Sequence, residues 1–212
     1  MAGRAVSRPT ALVIGAGIAG LASAAALARA GWAAEIVERA PELRAAGAAL
    51  SMWPNAMAGL RRLGAAERIE REAAPIERML LATRRGRTLI DRRVAGAYLP
   101  TRALLQAALR EAAGDVPVAL GRQAVELVSA ERGEVRLADG KRCSADLVVV
   151  ADGIRSAVGR TVVGGEARYS GYRGVVALSD VVDGAAPDGL AAEYWGRHER
   201  FGVCDLGGGR RY

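Results

Sequence analysis

Six residues near the start of the chain constrain its fold more than any other feature. They form the pattern Gly-x-Gly-x-x-Gly, written out as Gly15-Ala16-Gly17-Ile18-Ala19-Gly20. The apolar run Thr10–Ile14 before it is typical of a buried parallel strand, and the apolar run Ile18–Ala30 after it is typical of a buried helix. Ala34–Glu38 then predicts a second strand. Strand, helix and strand in succession predict a right-handed βαβ unit.

In this context the glycine pattern predicts a turn that binds a dinucleotide. Gly15 allows the tight turn, Gly17 lets a pyrophosphate approach the backbone, and Gly20 lets the helix pack closely on the strand. The helix begins at Ile18. The free N–H groups of its first residues, Ile18 and Ala19, and the partial positive charge of the helix N-terminus favour an anion. All six residues of the pattern are therefore candidate cofactor-binding residues. A glycine turn without any ligand is the alternative.

Glu38 ends the second predicted strand and follows Gly15 by 23 residues. In dinucleotide-binding units an acid about 20 residues after the first glycine binds a ribose. A carboxylate there accepts hydrogen bonds from both ribose hydroxyls and repels a 2′-phosphate, so we expect an adenosine that lacks this phosphate. The alternative is an ordinary surface acid at a strand end. Arg39 follows, and it faces either an adenine or solvent.

Charge and histidine content exclude several classes of function. The chain has 212 residues, enough for one to two domains, and a net charge of +7. Its arginines are scattered and only 4% of its residues are aromatic, which argues against a nucleic-acid groove. The single histidine, His198, argues against most zinc enzymes and against a Ser-His-Asp hydrolase. We predict no metal site.

The cysteines and the first apolar stretch bear on location. Two cysteines, Cys143 and Cys204, do not make a disulfide framework, so we expect a reduced, cytoplasmic setting. The apolar stretch Ala11–Ala28 contains glycines and runs directly into the βαβ pattern. It therefore predicts neither a signal peptide nor a membrane span.

Two further positions carry residues that suit a phosphate. Asp152-Gly153 follows the apolar run Leu147–Ala151, which predicts a return to the buried sheet, and Gly153 suits a turn that exposes N–H groups. A common Asp-Gly turn without a ligand is equally open. Arg102 is the first residue of a predicted helix, Thr101–Ala113, with Thr101 as its N-cap. A cation there opposes the helix dipole unless an anion lies nearby, and a solvated arginine is the alternative.

Hydrophobic periodicity and turn residues predict the remaining elements. They are a helix at Pro54–Leu63, a hairpin of Ile76–Thr83 and Arg87–Ile90, strands at Val116–Leu120, Val125–Ser129 and Val135–Leu137, a short helix at Ser156–Val162, and strands at Val175–Val182, Ala192–Trp195 and Phe201–Leu206.

Four further motifs follow the glycine pattern with Glu38 along the chain. They are Gly47–Ala56, Pro100–Leu105, Asp152-Gly153 with Ser156 and Arg160, and Tyr172–Val176. The order of these five motifs resembles that of FAD-dependent monooxygenases of the aromatic-hydroxylase, p-hydroxybenzoate hydroxylase-like type. The four later motifs are similar, in turn, to the family's flavin-lining stretch, its segment with an FAD-contacting arginine, its Asp-Gly motif associated with FAD and NAD(P)H, and the opening of its substrate-domain sheet.

The resemblance implies a fold and a set of contacts. The fold class is α/β, a Rossmann-like FAD-binding domain with a parallel sheet, followed by the beginning of an antiparallel β-sheet substrate domain. Residues 1–168 would form the first domain, with an inserted hairpin near 76–91, and residues 169–212 the start of the second. The implied cofactor-binding residues are the six residues of the glycine pattern, Glu38, Arg39, Arg102, Val125, Asp152 and Gly153.

The resemblance also implies a reaction. NAD(P)H would reduce FAD, and the reduced flavin would use O2 to hydroxylate or epoxidise a small substrate of aromatic or polycyclic type. No catalytic side chain is predicted. A later Gly-Asp motif of the family is absent, because Gly114-Asp115 follows a helix and precedes a strand. We therefore expect an amino-terminal fragment or a truncated gene product.

Two alternatives remain at this point. One is a non-catalytic remnant that binds a dinucleotide weakly or not at all, which the missing Gly-Asp motif favours. The other is a different Rossmann-type protein, either another flavoprotein or an NAD-dependent dehydrogenase. The stretch Gly47–Asn55 and Arg102 argue against the dehydrogenase.

Overall fold

The computed structural model describes residues 7–43, 47–165, 167–180 and 186–212. In chain order the elements are β1 (Thr10–Ile14), α1 (Ile18–Arg29), β2 (Ala33–Val37), α2 (Pro54–Leu63), α3 (Ala66–Glu72), β3 (Ala74–Thr83), β4 (Thr88–Leu99), α4 (Arg102–Ala112), β5 (Val118–Ala119), β6 (Ala124–Ser129), β7 (Glu134–Leu137), β8 (Arg142–Ser144), β9 (Leu147–Val150), α5 (Ala157–Val163), β10 (Leu190–Trp195), β11 (Arg200–Gly207) and β12 (Arg210–Arg211).

The chain divides into two compact units. Unit 1 comprises residues 1–45 and 109–172, and unit 2 comprises residues 46–108 and 173–212. These ranges do not coincide with the predicted domains 1–168 and 169–212, because the hairpin β3–β4 shares a sheet with the later strands β10 and β11. The hairpin lies in the segment 46–108, which interrupts unit 1 along the chain, and it belongs to unit 2. A functional division into a cofactor domain and a substrate domain stays a prediction.

Unit 1 is built on a parallel sheet with the strand order β5-β2-β1-β9. The central strand β1 pairs in parallel with both β2 and β9. Its residues Leu12 and Val13 are fully buried, as expected for a strand covered on both faces. This arrangement confirms the predicted Rossmann-like α/β domain with a parallel sheet.

A second, three-stranded antiparallel sheet, β6-β7-β8, completes unit 1. Leu12 and Ile14 form a buried cluster with Val135 and Leu137 of this sheet and with Val158 of α5. Hydrophobic periodicity predicted β6 and β7 but not β8, because three residues are too few to show an alternating pattern.

Unit 2 contains a five-stranded sheet in the order β12-β11-β10-β3-β4. The later strands pair antiparallel with one another, as predicted for the beginning of an antiparallel sheet. However, β10 pairs with β3 in parallel, so this sheet is mixed. The hairpin β3–β4 is also longer than predicted, since β4 continues through two register shifts to Leu99.

One predicted strand is wrong over its described part. Val175–Val182 was expected to be extended and paired, but residues 175–180 belong to no strand and Val175 is 97% exposed. Residues 181 and 182 lie outside the described residues. β-branched residues favour a strand only where a neighbouring strand pairs and packs with them. The Ser179 N–H does donate to the Arg211 carbonyl of β12 at 2.8 Å, but residues 175–178 pair with no strand in the described part of the chain.

The helices are short. The longest, α1, has 12 residues, whereas a bilayer span needs about 20. No helix in the described part of the chain has the length and apolar character to cross a membrane.

A buried ion pair ties the last strand of unit 2 to its neighbours. Arg211 and Asp205 have side chains only 9% and 5% exposed, and Nη1 of Arg211 lies 2.7 Å from Oδ1 of Asp205. The other nitrogen, Nη2, donates to the carbonyl oxygen of Ala186 at 2.6 Å. The other carboxylate oxygen accepts the Gly189 N–H at 2.8 Å. The pair therefore joins β11 and β12 to the loop before β10.

We predict that Arg211→Met lowers the free energy of unfolding by about 3–5 kcal/mol, because it leaves the Asp205 carboxylate buried without its cation. The adjacent Arg210, which is exposed, provides the matched control, and Arg210→Met should change stability by less than about 0.5 kcal/mol. Urea denaturation measures both variants. Equal losses for the two would contradict the account.

The carboxylate of Asp146, the residue just before β9, bonds to Thr10, the first residue of β1. Hydrogen bonds from the N–H and O–H of Thr10, each 2.8 Å long, hold the pKa of Asp146 below its ordinary value. A lowered pKa stabilises the fold above the unfolded-state value, which is about 3.9, and this contribution disappears as the pH falls through the folded-state pKa.

We therefore expect Asp146→Asn to unfold at a lower urea concentration than the parent chain at pH 7. The difference should begin to shrink below about pH 4, where Asp146 of the unfolded parent chain becomes protonated, and should continue to shrink as the pH falls through the lowered folded-state pKa. Urea midpoints at pH 7 and pH 3 measure the effect, and a difference independent of pH would contradict it.

Candidate functional site

The carboxyl ends of three parallel strands meet at one cleft in unit 1. Gly15 follows β1, Glu38 follows β2, and Asp152 follows β9 shortly after Ala151. All four residues line the same cavity, which has a volume of about 210 Å³. Ligands of open α/β sheets bind outside the carboxyl ends of the strands, so this is the expected position for a site.

The glycine loop is packed so closely that two of its positions admit no side chain. A Cβ atom on Gly15 would lie 2.6 Å from the carbonyl oxygen of Ala151 and 2.8 Å from Cα of Asp152, and the φ angle of Gly15 is +101°. A Cβ on Gly20 would overlap the carbonyl oxygen of Gly15. These two glycines therefore let the loop, the helix and the end of β9 come together.

Gly17 is different, because space rather than protein lies beside it. A Cβ atom at this position would meet no atom within 4 Å. Gly17 is the N-cap of α1; no side chain among the described residues caps this helix, and its first turn contains no acidic residue. The first helical hydrogen bond runs from the Leu21 N–H to the Gly17 carbonyl, so the N–H groups at Ile18 and Ala19 precede it. These free donors form a setting for an anion.

Glu38 is half-buried and both of its carboxylate oxygens accept backbone hydrogen bonds. The Ala16 N–H donates to Oε2 at 2.7 Å, and the Ala40 N–H donates to Oε1 at 2.9 Å. The carboxylate therefore faces the glycine loop in one fixed orientation. Each oxygen keeps lone-pair capacity for a further donor, such as a hydroxyl group.

Asp152 presents an acceptor that has no partner. Its Oδ1 atom is buried and makes no hydrogen bond to the described residues, although a buried polar atom ordinarily has one. Gly153 beside it is exposed and has a φ angle of +86°. A hydroxyl group in the cleft would supply the missing donor.

Three arginines and two acids line the cleft, which gives it an excess of positive charge. The arginines are Arg39, Arg122 and Arg155. Nη1 of Arg122 lies 2.7 Å from Oδ2 of Asp139, and the backbone N–H of Arg122 donates to the Glu38 carbonyl at 2.8 Å. Sequence reasoning missed Arg122 and Arg155 as lining residues. The place of Arg122 follows from the pairing of a distant segment with β2, which no local motif shows. Arg155 lies directly after the predicted Asp-Gly turn, and that turn was the signal that could have found it.

Val125 is not among the residues that line the cleft. It is half-buried in β6, and the preceding residue, Ala124, lines the cleft instead. Neighbouring residues of a strand point to opposite faces, so the side chain of Val125 points away from the face that Ala124 presents to the cleft. A contact between Val125 and the cofactor stays a prediction.

Arg102 lies in unit 2, as the first residue of α4. Oγ1 of Thr101 accepts the Leu104 N–H at 3.1 Å, which is the N-cap that the sequence predicts. The N–H of Arg102 itself donates to the carbonyl oxygen of Ala48 at 3.1 Å.

The two cysteines and the single histidine do not line the cleft. Burial raises the pKa of the thiols of Cys143 and Cys204, so neither is an activated thiolate. His198 is exposed between β10 and β11. Within residues 7–43, 47–165, 167–180 and 186–212, no three histidine, cysteine or acidic side chains are grouped as metal ligands.

Comparisons with known proteins agree with this geometry. A family model described as "FAD binding domain" matches residues 8–206. The aurachin C monooxygenase/isomerase of Stigmatella aurantiaca is 38% identical over 96% of this chain and 55% of its own length. The FAD-dependent urate hydroxylase of Klebsiella pneumoniae is 30% identical over 95% of this chain and 56% of its own length.

Solved structures show the same fold. The crystal structure of Klebsiella pneumoniae HpxO complexed with FAD and uric acid has a TM-score of 0.80 at 28% identity, covering 96% of this chain and 55% of that one. A tetrameric 2-methyl-3-hydroxypyridine-5-carboxylic acid oxygenase has a TM-score of 0.78 at 24% identity. The chain thus spans about 55% of the length of the relatives named here.

We predict that Glu38→Gln destabilises unit 1 even without a ligand. Both carboxylate oxygens accept N–H groups, so either orientation of the amide places its NH2 against a backbone donor. The loss of one such hydrogen bond costs about 1–2 kcal/mol. Glu35→Gln, on the exposed side of the same strand, provides the control and should leave the thermal midpoint unchanged. Thermal unfolding of the ligand-free variants measures the effect, and equal midpoints for both would show that these contacts are not formed.

Proposed function

Since the chain belongs to the family of FAD binding domains, we propose that it supplies the cofactor-binding part of an FAD-dependent monooxygenase. The observation that carries the proposal is the single cleft lined by Gly17, Glu38 and Asp152. The proteins similar to it include monooxygenases and hydroxylases that act on aurachin C, urate and 3-amino-4-hydroxybenzoate by name. Substrates of this aromatic type are our proposal for the full-length protein.

The residues of the cleft fit FAD chemically. The open space beside Gly17 and the free N–H groups of α1 would hold the diphosphate. The remaining lone pairs of the Glu38 carboxylate would accept a hydrogen bond from a ribose hydroxyl. Oδ1 of Asp152, which has no partner among the described residues, would accept a hydrogen bond from another hydroxyl of the cofactor. We also propose that Arg39, Gly153 and, from unit 2, Arg102 contact the cofactor.

Bound FAD would supply the redox chemistry, taking electrons from NAD(P)H and passing them to O2 so that one oxygen atom enters the substrate. The part of this chain is to bind and orient the cofactor, and no side chain of the cleft is assigned an acid–base role. A cytoplasmic setting is proposed on the two free cysteines.

The first test is a pair of glycine variants. We predict that Gly17→Ala keeps the fold but lowers the affinity for FAD at least about tenfold, because its methyl group occupies space that only a ligand would otherwise fill. Gly59→Ala is the matched control, since a Cβ atom there also meets nothing within 4 Å and Gly59, in α2, is not among the residues that line the cleft. FAD titration and circular dichroism measure binding and folding.

The parent chain, purified with FAD and desalted, should be yellow and show flavin absorbance bands. A colourless but folded parent chain would instead support a remnant that does not bind the cofactor. Equal FAD affinity of the Gly17 and Gly59 variants would contradict the proposed path of the diphosphate. Dehydrogenase activity in the absence of flavin would replace the proposal with a nicotinamide enzyme.

A further inference from the structure

We propose that Gly47 is a positioning residue that holds the Arg102 side chain in place for the cofactor. The inference rests on the proposed function, specifically on the contact of Arg102 with FAD. Both residues belong to unit 2, and the geometry that links them lies entirely within that unit.

The side chain of Arg102 lies directly over the backbone of Gly47. A Cβ atom on Gly47 would come within 2.7 Å of Cδ and 3.3 Å of Nε of Arg102. The φ angle of Gly47 is +97°, a conformation that other residues rarely adopt. Position 47 is therefore restricted twice, by its own backbone and by the arginine stem above it.

Backbone pairing brings these two residues together. The Arg102 N–H donates to the Ala48 carbonyl, and the Leu50 N–H donates to the Pro100 carbonyl, both at 3.1 Å. Two antiparallel bridges, Ala49 with Thr101 and Met52 with Tyr98, continue the same ladder. The approach of Gly47 to Arg102 thus follows from the register of a short paired segment.

The charge of Arg102 is not balanced within this part of the fold. No carboxylate among the described residues pairs with its guanidinium, and its place in the first turn of α4 opposes the helix dipole. An arginine that is restrained along its stem and unpaired at its head suits an anion from outside the chain. Because the stem is already confined, less conformational entropy is lost when the anion binds.

The binding test is a double-mutant cycle on the FAD dissociation constant, measured by flavin fluorescence with the complete 212-residue chain. We expect Arg102→Ala and Gly47→Ala each to weaken binding about tenfold, the first by removing the cation and the second by displacing it. The double variant should bind no more weakly than Arg102→Ala alone. Gly86→Ala is the control, because Gly86 has a φ angle of +84° but a Cβ there meets nothing within 4 Å.

A second measurement on the ligand-free chain separates displacement from backbone strain. Gly47→Ala should lower the thermal midpoint more than Gly86→Ala in the parent chain. In the Arg102→Ala background the two losses should become equal, because the colliding stem is gone and only the strain at positive φ remains.

The outcomes are distinct. Additive losses of FAD affinity at positions 47 and 102, or unchanged affinity of Gly47→Ala, would overturn the positioning role. Coupling in the thermal midpoints combined with unchanged FAD affinity of Arg102→Ala would show that the packing is real but that the proposed contact with FAD is wrong. A parent chain that binds no FAD overturns the positioning role together with the proposed function, whatever the midpoints show.

Discussion

The hydrogen bond from the Ala16 N–H to the Glu38 carboxylate is the interaction on which the site depends. It joins the glycine loop after β1 to the end of β2, while the bare Gly15 backbone packs against Ala151 and Asp152 at the end of β9. Three strand ends are thereby fixed around one space. The acid that would bind a ribose is oriented by the same loop that would bind the diphosphate, so neither group has to be rearranged before a ligand enters.

The glycines of the loop differ in the space beside them, and this difference indicates where a ligand could bind. Side chains are excluded at Gly15 and Gly20 by neighbouring backbone, but at Gly17 only empty space lies beside the α-carbon. Arginines surround the cleft, and one buried carboxylate oxygen of Asp152 has no partner among the described residues. The combination favours a ligand that is anionic at its centre and rich in hydroxyl groups on either side, which is the character of a dinucleotide.

Local signals were sufficient for much of unit 1 and for some elements of unit 2. A glycine pattern between two apolar runs specifies β1, α1 and β2 to within a residue, and the N-cap at Thr101 and the helix Pro54–Leu63 also follow from neighbouring residues alone. The family resemblance read from five motifs is confirmed by a family model covering residues 8–206 and by the monooxygenases that match most of this chain.

Features that depend on distant pairing could not be read in this way. The parallel alignment of β10 with β3 joins segments more than 100 residues apart, and no local pattern encodes it. Val175 is a β-branched residue of the kind that favours a strand, but no described strand pairs with it, so it is exposed. Arg122 reaches the cleft only because the segment 118–122 runs beside β2. Calorimetric titration with ADP and with FMN, which contain the adenosine end and the flavin end of FAD respectively, tests the central claim most directly. The account predicts that ADP binds the chain and competes with FAD, whereas FMN binds far more weakly. Tight binding of FMN without detectable binding of ADP would contradict it.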